Sequence, residues 1–131
     1  MADLRLRRRL TRGAAEIENN RAMSTAAYEN PGPALADVQA LPGVAVLEFG
    51  TPWCGFCRAA QAPIAQALAD KPQVRHVKVE DGSGRPLGRA FGVKLWPTLV
   101  FLRDGREIAR VVRPQSAGAI RDALPQAAAP A

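Results

Sequence analysis

Two cysteines, the only ones in the chain, stand three positions apart in Trp53-Cys54-Gly55-Phe56-Cys57, between a strand-like apolar run and an alanine-rich helical pattern. A helix start leaves its first backbone N–H groups unpartnered and carries the positive end of the helix dipole. A thiol placed there ionises more easily, and the thiolate is the reactive form. With no third or fourth cysteine, one chain cannot build a four-cysteine zinc site. A structural staple closing so short a loop would constrain the unfolded chain only slightly. The spacing therefore points to redox chemistry.

Glu48 is the second residue whose type stands out. It lies inside Val44-Ala45-Val46-Leu47-Glu48-Phe49, a near-continuous apolar run that reads as a strand buried on both faces. A buried carboxylate is costly unless it takes up a proton or finds a partner. The other reading of Glu48 is an exposed sheet edge, where it would only solubilise the strand.

The elements that must position these groups follow in order. Asn30-Pro31-Gly32-Pro33 is a turn-rich boundary, and Ala34 to Leu41 reads as a short helix ended by Pro42-Gly43. After the first strand, Cys54 to Asp70 carries the strongest helical pattern, with an expected kink at Pro63. A second strand covers Val74 to Val79, where Val74, His76 and Lys78 alternate imperfectly with Arg75, Val77 and Val79. His76, the sole histidine, is expected to be a packing or surface residue away from the dithiol. Pro86 to Phe91 reads as a short helix and Thr98 to Leu102 as a third strand. Asp104-Gly105 is a hairpin signal leading to Glu107 through Val112, and Ser116 can cap a last helix carrying Ile120 and Leu124. Strands alternating with helices, then a hairpin and a helix, predict an α/β fold with a mixed sheet covered on both faces.

This order of features resembles the thioredoxin family over roughly residues 44 to 124. The resemblance is carried by Trp53 to Cys57, by Ala62-Pro63-Ile64, by Trp96-Pro97-Thr98 before a strand, and by the Asp104-Gly105 hairpin. It implies the thioredoxin fold and a thiol-disulfide oxidoreductase that reduces protein disulfides. Cys54 would be the exposed nucleophile and Cys57 the resolving thiol one helical turn in. Glu48 matches the family's buried aspartate and would exchange a proton with Cys57 through water. Pro97 matches the family's cis-proline, opposite the dithiol, beside backbone groups that pair with an extended substrate. Phe56 stands where thioredoxin proper often has proline, and Leu95-Trp96 replaces a small and an aliphatic residue. Trp53, Phe56 and Trp96, with Pro97, are thus candidate substrate-binding residues, forming an apolar platform for a particular partner. In the alternative reading, Phe56 and Trp96 pack on each other and merely exclude water.

The partners implied are disulfide-containing protein substrates and a reductase or thiol pool as electron donor, with no bound cofactor and no metal. Gly55-Phe56 lacks the histidine that helps stabilise the thiolate in strong oxidants of the fold, which favours a reductant or an intermediate potential. The alternatives are a disulfide oxidase or isomerase, and a redox-responsive interaction or holdase module whose client binding would survive loss of both thiols. A further alternative is a metal or iron–sulfur site pooled between two chains.

Composition narrows the rest. The chain has 131 residues and a formal net charge of +6. Five arginines against Asp3 place +4 of that charge in residues 1 to 12. No aromatic residues interleave these arginines and no nucleic-acid module follows them, so nucleic-acid binding is not expected. The acidic and amide residues after Arg12 replace the apolar stretch of about 7 to 15 residues that an export signal needs. No run approaches the ~18 apolar residues of a membrane span. The expectation is a monomer in the reducing cytoplasm, of bacterial origin since arginine greatly outnumbers lysine. Residues 1–30 are read as a basic extension, helical or disordered, 31–125 as the domain and 126–131 as a tail. Met23 leaves open the reading of residues 1–22 as an upstream extension of the coding frame.

Overall fold

The computed structural model describes residues 27–128. Helix α1 (Leu35–Gln39) precedes strand β1 (Val44–Gly50), helix α2 (Gly55–Leu68) and strand β2 (Arg75–Glu80). Helix α3 (Pro86–Ala90), the strands β3 (Thr98–Arg103) and β4 (Arg106–Val112), and helix α4 (Ala117–Ala128) complete the order. The four strands form one mixed sheet in the order β2-β1-β3-β4. β1 runs parallel to β2 through the α2 crossover and antiparallel to β3, and β3 pairs antiparallel with β4.

β1 is central because its side chains suit burial on both faces. From Ala45 to Phe49 none of its residues is more than 1% exposed, Glu48 included. The two-residue strand period splits its neighbours between two cores. Val46, Leu99 and Phe101 pack with Ala60, Ile64 and Ala67 of α2 and Ile120 and Leu124 of α4. Leu47, Phe49, Val100 and Leu102 pack on the other face with Val38 of α1 and Leu87 of α3. The alternation places Glu48 on the Val46 side, beneath α2.

The hairpin between β3 and β4 turns at Asp104 and Gly105, both with positive φ, as a tight two-residue turn requires. Asp104 also ties the turn to the start of β1. Its carboxylate accepts the Gly43 N–H at 2.7 Å, and its own N–H donates to the Gly43 carbonyl at 2.9 Å. A Cβ on Gly105 would sit 2.0 Å from the Gln39 carbonyl oxygen. Gly105→Ala is expected to cost about 2 kcal/mol from backbone strain, with the clash adding to it, measured by denaturant unfolding.

Two boundaries differ from the sequence expectation. Glu29 forms a parallel bridge with Val79, donating to the Lys78 carbonyl at 2.8 Å and accepting from the Glu80 N–H at 3.2 Å. Tyr28 and Glu29 therefore pack with the domain, ahead of the turn at Pro31. At the other end, Ser116 Oγ accepts the Ala119 N–H at 3.1 Å, and the helix it caps continues through Pro125 to Ala128. Pro125 removes one donor, but the following alanines are strong helix formers, so the last turn persists where a frayed tail is expected. The basic arginine cluster and Met23 lie outside the described residues.

Candidate active site

Cys54 is the N-cap of α2, in extended geometry, and its Sγ accepts the Cys57 backbone N–H at 3.3 Å. A sulfur in that place faces the unpaired donors and the positive dipole end of the helix. Cys57 lies one turn further in, and both thiols are free. The expectation of an exposed nucleophile is corrected in degree: Cys54 is only 9% exposed, against 1% for Cys57. Burial foremost, then the hydrogen bond with Cys54, pushes the Cys57 thiol up to about 12.

Glu48 is fully buried in the central strand, which excludes an exposed-edge role. Both its oxygens are matched. Oε1 lies 2.8 Å from His76 Nε2, and Oε2 accepts the Tyr28 hydroxyl at 2.9 Å and the Gln61 amide at 2.8 Å. Burial by itself raises the carboxyl pKa, but the hydrogen bond and charge of His76, with Gln61 and Lys78, outweigh it and lower the net value. Gln61 also donates to the Cys57 carbonyl at 2.7 Å, while its own oxygen accepts Lys78 Nζ at 2.9 Å. The Lys78 ammonium lies 4.5 Å from the centre of the Tyr28 ring. Burial lowers the Lys78 pKa, against the pull of Glu48 and Cys57. The Tyr28 hydroxyl also lies near Cys57, the two groups flanking the open side of Gly50.

His76 is thus not away from the site: it is 5% exposed and bonds the buried Glu48 carboxylate. The parallel register explains this, pairing Val46 with His76 and Glu48 with Lys78. His76 and Lys78, alternating along β2, and Val74 just before it all turn to the Glu48 face. Sequence reading passed over Gln61, Lys78 and Tyr28 as site residues. The β2 alternation is a signal for Lys78 and the i, i+4 spacing from Cys57 for Gln61; nothing local marks Tyr28.

The rim carries the aromatic residues. Trp53 is 72% exposed and Phe56 59%, while Trp96 is half-buried and donates its Nε1 hydrogen to Asp81 at 2.8 Å. Trp53 and Trp96 meet edge to face, with ring centroids 5.7 Å apart. Phe56 instead lies under the Arg113 guanidinium, 4.1 Å from the ring centre. Arg113 Nε donates to the Trp96 carbonyl at 2.9 Å, and a cavity of about 410 Å³ opens between Phe56, Ala59, Arg113, Pro114 and Gln115. Pro97 is buried, and the Trp96–Pro97 peptide is cis. Its neighbour Thr98 pairs with Phe49, so this turn lies at the same end of the sheet as Gly50 and the cysteines. Among the described residues, no three His, Cys, Asp or Glu side chains form a metal-binding group.

The Thioredoxin family pattern matches residues 35–126, most of the chain. This chain belongs to the thioredoxin family. Reduced thioredoxin 2 of Pseudomonas aeruginosa is similar at 53% identity and a TM-score of 0.72, covering 79% of this chain and 96% of that one. Thioredoxin H-type 1 of Nicotiana tabacum is 40% identical over 51% of this chain, and thioredoxin of Chlamydia muridarum 39% over 53%. The matched segment spans 53% of the tobacco protein and 69% of the chlamydial one. The sheet, the Cys54 cap and the buried Glu48 accordingly form a thioredoxin-family domain, with His76 and Tyr28 as partners of the carboxylate.

Proposed function

We propose that this thioredoxin-family chain is a thiol-disulfide oxidoreductase that reduces protein disulfides, with Cys54 attacking and Cys57 resolving. The observation that carries the reading is the Cys54 sulfur at the α2 start, bonded to the Cys57 N–H, with the second thiol buried one turn away. Cys54 attacks a substrate disulfide, joining one substrate sulfur and releasing the other as a thiolate. Cys57 then attacks the Cys54 sulfur. The bond from Cys54 to the substrate breaks, the intramolecular disulfide forms, and the electron pair leaves with the second substrate thiolate. Because Cys57 ionises only near pH 12, its proton must leave as the new bond forms. Glu48 is the acceptor.

A reducing direction is supported by Gly55-Phe56, which puts no histidine between the cysteines, and by the high pKa of Cys57. Oxidants of this type stabilise their reduced form, and a buried thiol held protonated does not add to that stabilisation. Electrons would return from a reductase or thiol pool to a monomer in the cytosol. Among the described residues no helix is long and apolar enough to cross a membrane.

Substrate proteins are read as docking across Trp53, Phe56, Leu95 and Trp96, around the cis Pro97 turn. The separation of Phe56 from Trp96, each with its own partner, supports a platform over mutual packing. Trp96→Ala is expected to slow turnover of a folded protein disulfide about tenfold while changing that of a small aromatic disulfide less than twofold. Equal losses on both substrates contradict the platform.

A further inference from the structure

Tyr28 reaches the site from outside the elements that form it. Its backbone precedes the Glu29 bridge at the outer edge of β2, yet its hydroxyl donates to the Glu48 carboxylate and lies near the Cys57 thiol where both flank Gly50. Gly50 keeps that meeting place open. A Cβ there would stand 2.6 Å from Cys57 Sγ and 3.0 Å from Tyr28 Oη. A hydroxyl can accept one hydrogen bond while donating another. With its own hydrogen on Glu48 Oε2, Tyr28 Oη keeps a lone pair with which to take the Cys57 proton as it leaves.

We propose that the Tyr28 hydroxyl is a catalytic relay, passing the Cys57 proton to Glu48 as Cys57 closes on the mixed disulfide. The inference rests on the reading of Glu48 as the acceptor of that proton. In one step the S–H bond of Cys57 breaks as Oη takes its proton, and the Oη–H bond breaks as Glu48 Oε2 takes the other. The Cys57 electron pair forms the bond to Cys54 sulfur, and the pair of the old Cys54–substrate bond departs with the substrate thiolate. Tyr28 ends as it began, a neutral phenol. It does not rest as a phenolate, because burial, then the Glu48 charge and hydrogen bond, push its pKa well up. The groups facing this path are Cys57 and Gln61 from α2, Glu48 from β1, and His76 and Lys78 from β2.

The test uses the full reduced chain and dithiobis(nitrobenzoate), whose two nitrothiobenzoate releases report Cys54 attack and then Cys57 closure. Tyr28→Phe should leave the first phase within about twofold and slow the second at least about tenfold at neutral pH. The deficit should narrow as pH rises towards the Cys57 pKa, whereas a purely structural defect would persist at every pH. Glu48→Gln should slow the second phase as well. A normal second phase in Tyr28→Phe beside a slow one in Glu48→Gln overturns the relay and leaves Glu48 as acceptor. A normal second phase in Glu48→Gln removes the reading beneath it. If Tyr28→Phe does not fold, difluorotyrosine at position 28 keeps the ring and hydroxyl but changes its proton affinity. A several-fold change in the second phase alone supports the relay, and an unchanged rate overturns it.

Discussion

Cys54→Ser abolishes turnover of protein disulfides, by more than about 10³-fold, because no other thiol sits at the α2 start to open the substrate bond. Cys57→Ser loses turnover as completely but in a different way. It retains the attacking sulfur, so it performs half a cycle and stops as a covalent mixed disulfide with its substrate. The two variants separate in one experiment: intact mass shows substrate attached to Cys57→Ser and none on Cys54→Ser. Release of the adduct by added dithiothreitol shows that the link is a disulfide. The trap is durable because this variant lacks the thiol that would attack the Cys54 sulfur and release the substrate.

The second large effect belongs to a residue far from the cysteines in sequence. His76→Leu leaves Glu48 Oε1 buried without its 2.8 Å partner. Leaving a buried carboxylate oxygen without its hydrogen-bond partner costs about 1 to 3 kcal/mol at neutral pH. The sign of the pH dependence follows from the lowered Glu48 pKa in the folded protein. A depressed carboxyl pKa contributes stability above the ordinary value of 4.5, lost as pH falls through the lower folded value. In His76→Leu the carboxyl, stripped of its main lowering partner, is expected to rise above 4.5 and to destabilise the fold above that pH. The gap between the two proteins should therefore shrink as pH drops below about 4.5. Denaturant unfolding at neutral and acid pH measures it, and a gap independent of pH would show that His76 acts through packing alone.

Local chemistry made much of this fold legible before its geometry. The cysteine pair, the apolar run of β1, the Asp104-Gly105 turn and the Ser116 cap are signals contained within a few residues. Glu48 stood out for the same reason, as a charge in an apolar strand. Its surroundings did not, because they depend on register. Only the parallel pairing of β1 with β2 turns His76 and Lys78 towards Glu48. Tyr28 is further removed, delivered by a single bridge at Glu29 from before a turn that resembled a boundary. The aromatic rim was legible as composition but not as contacts. Phe56 pairs with Arg113, whose backbone has a positive φ and whose side chain also holds the Trp96 carbonyl.

Reduction of protein disulfides by this chain requires Cys54 and Cys57 to interconvert between a dithiol and an intramolecular disulfide at a reducing potential. Equilibration in a graded dithiothreitol redox series, with thiol alkylation and mass read at each point, tests this most directly. The expected result is a single two-electron transition involving both cysteines, with a potential in the reducing part of the range for this chemistry. A chain that forms no intramolecular disulfide under oxidising conditions, or whose disulfide is reduced only at the oxidising end of that range, would contradict it.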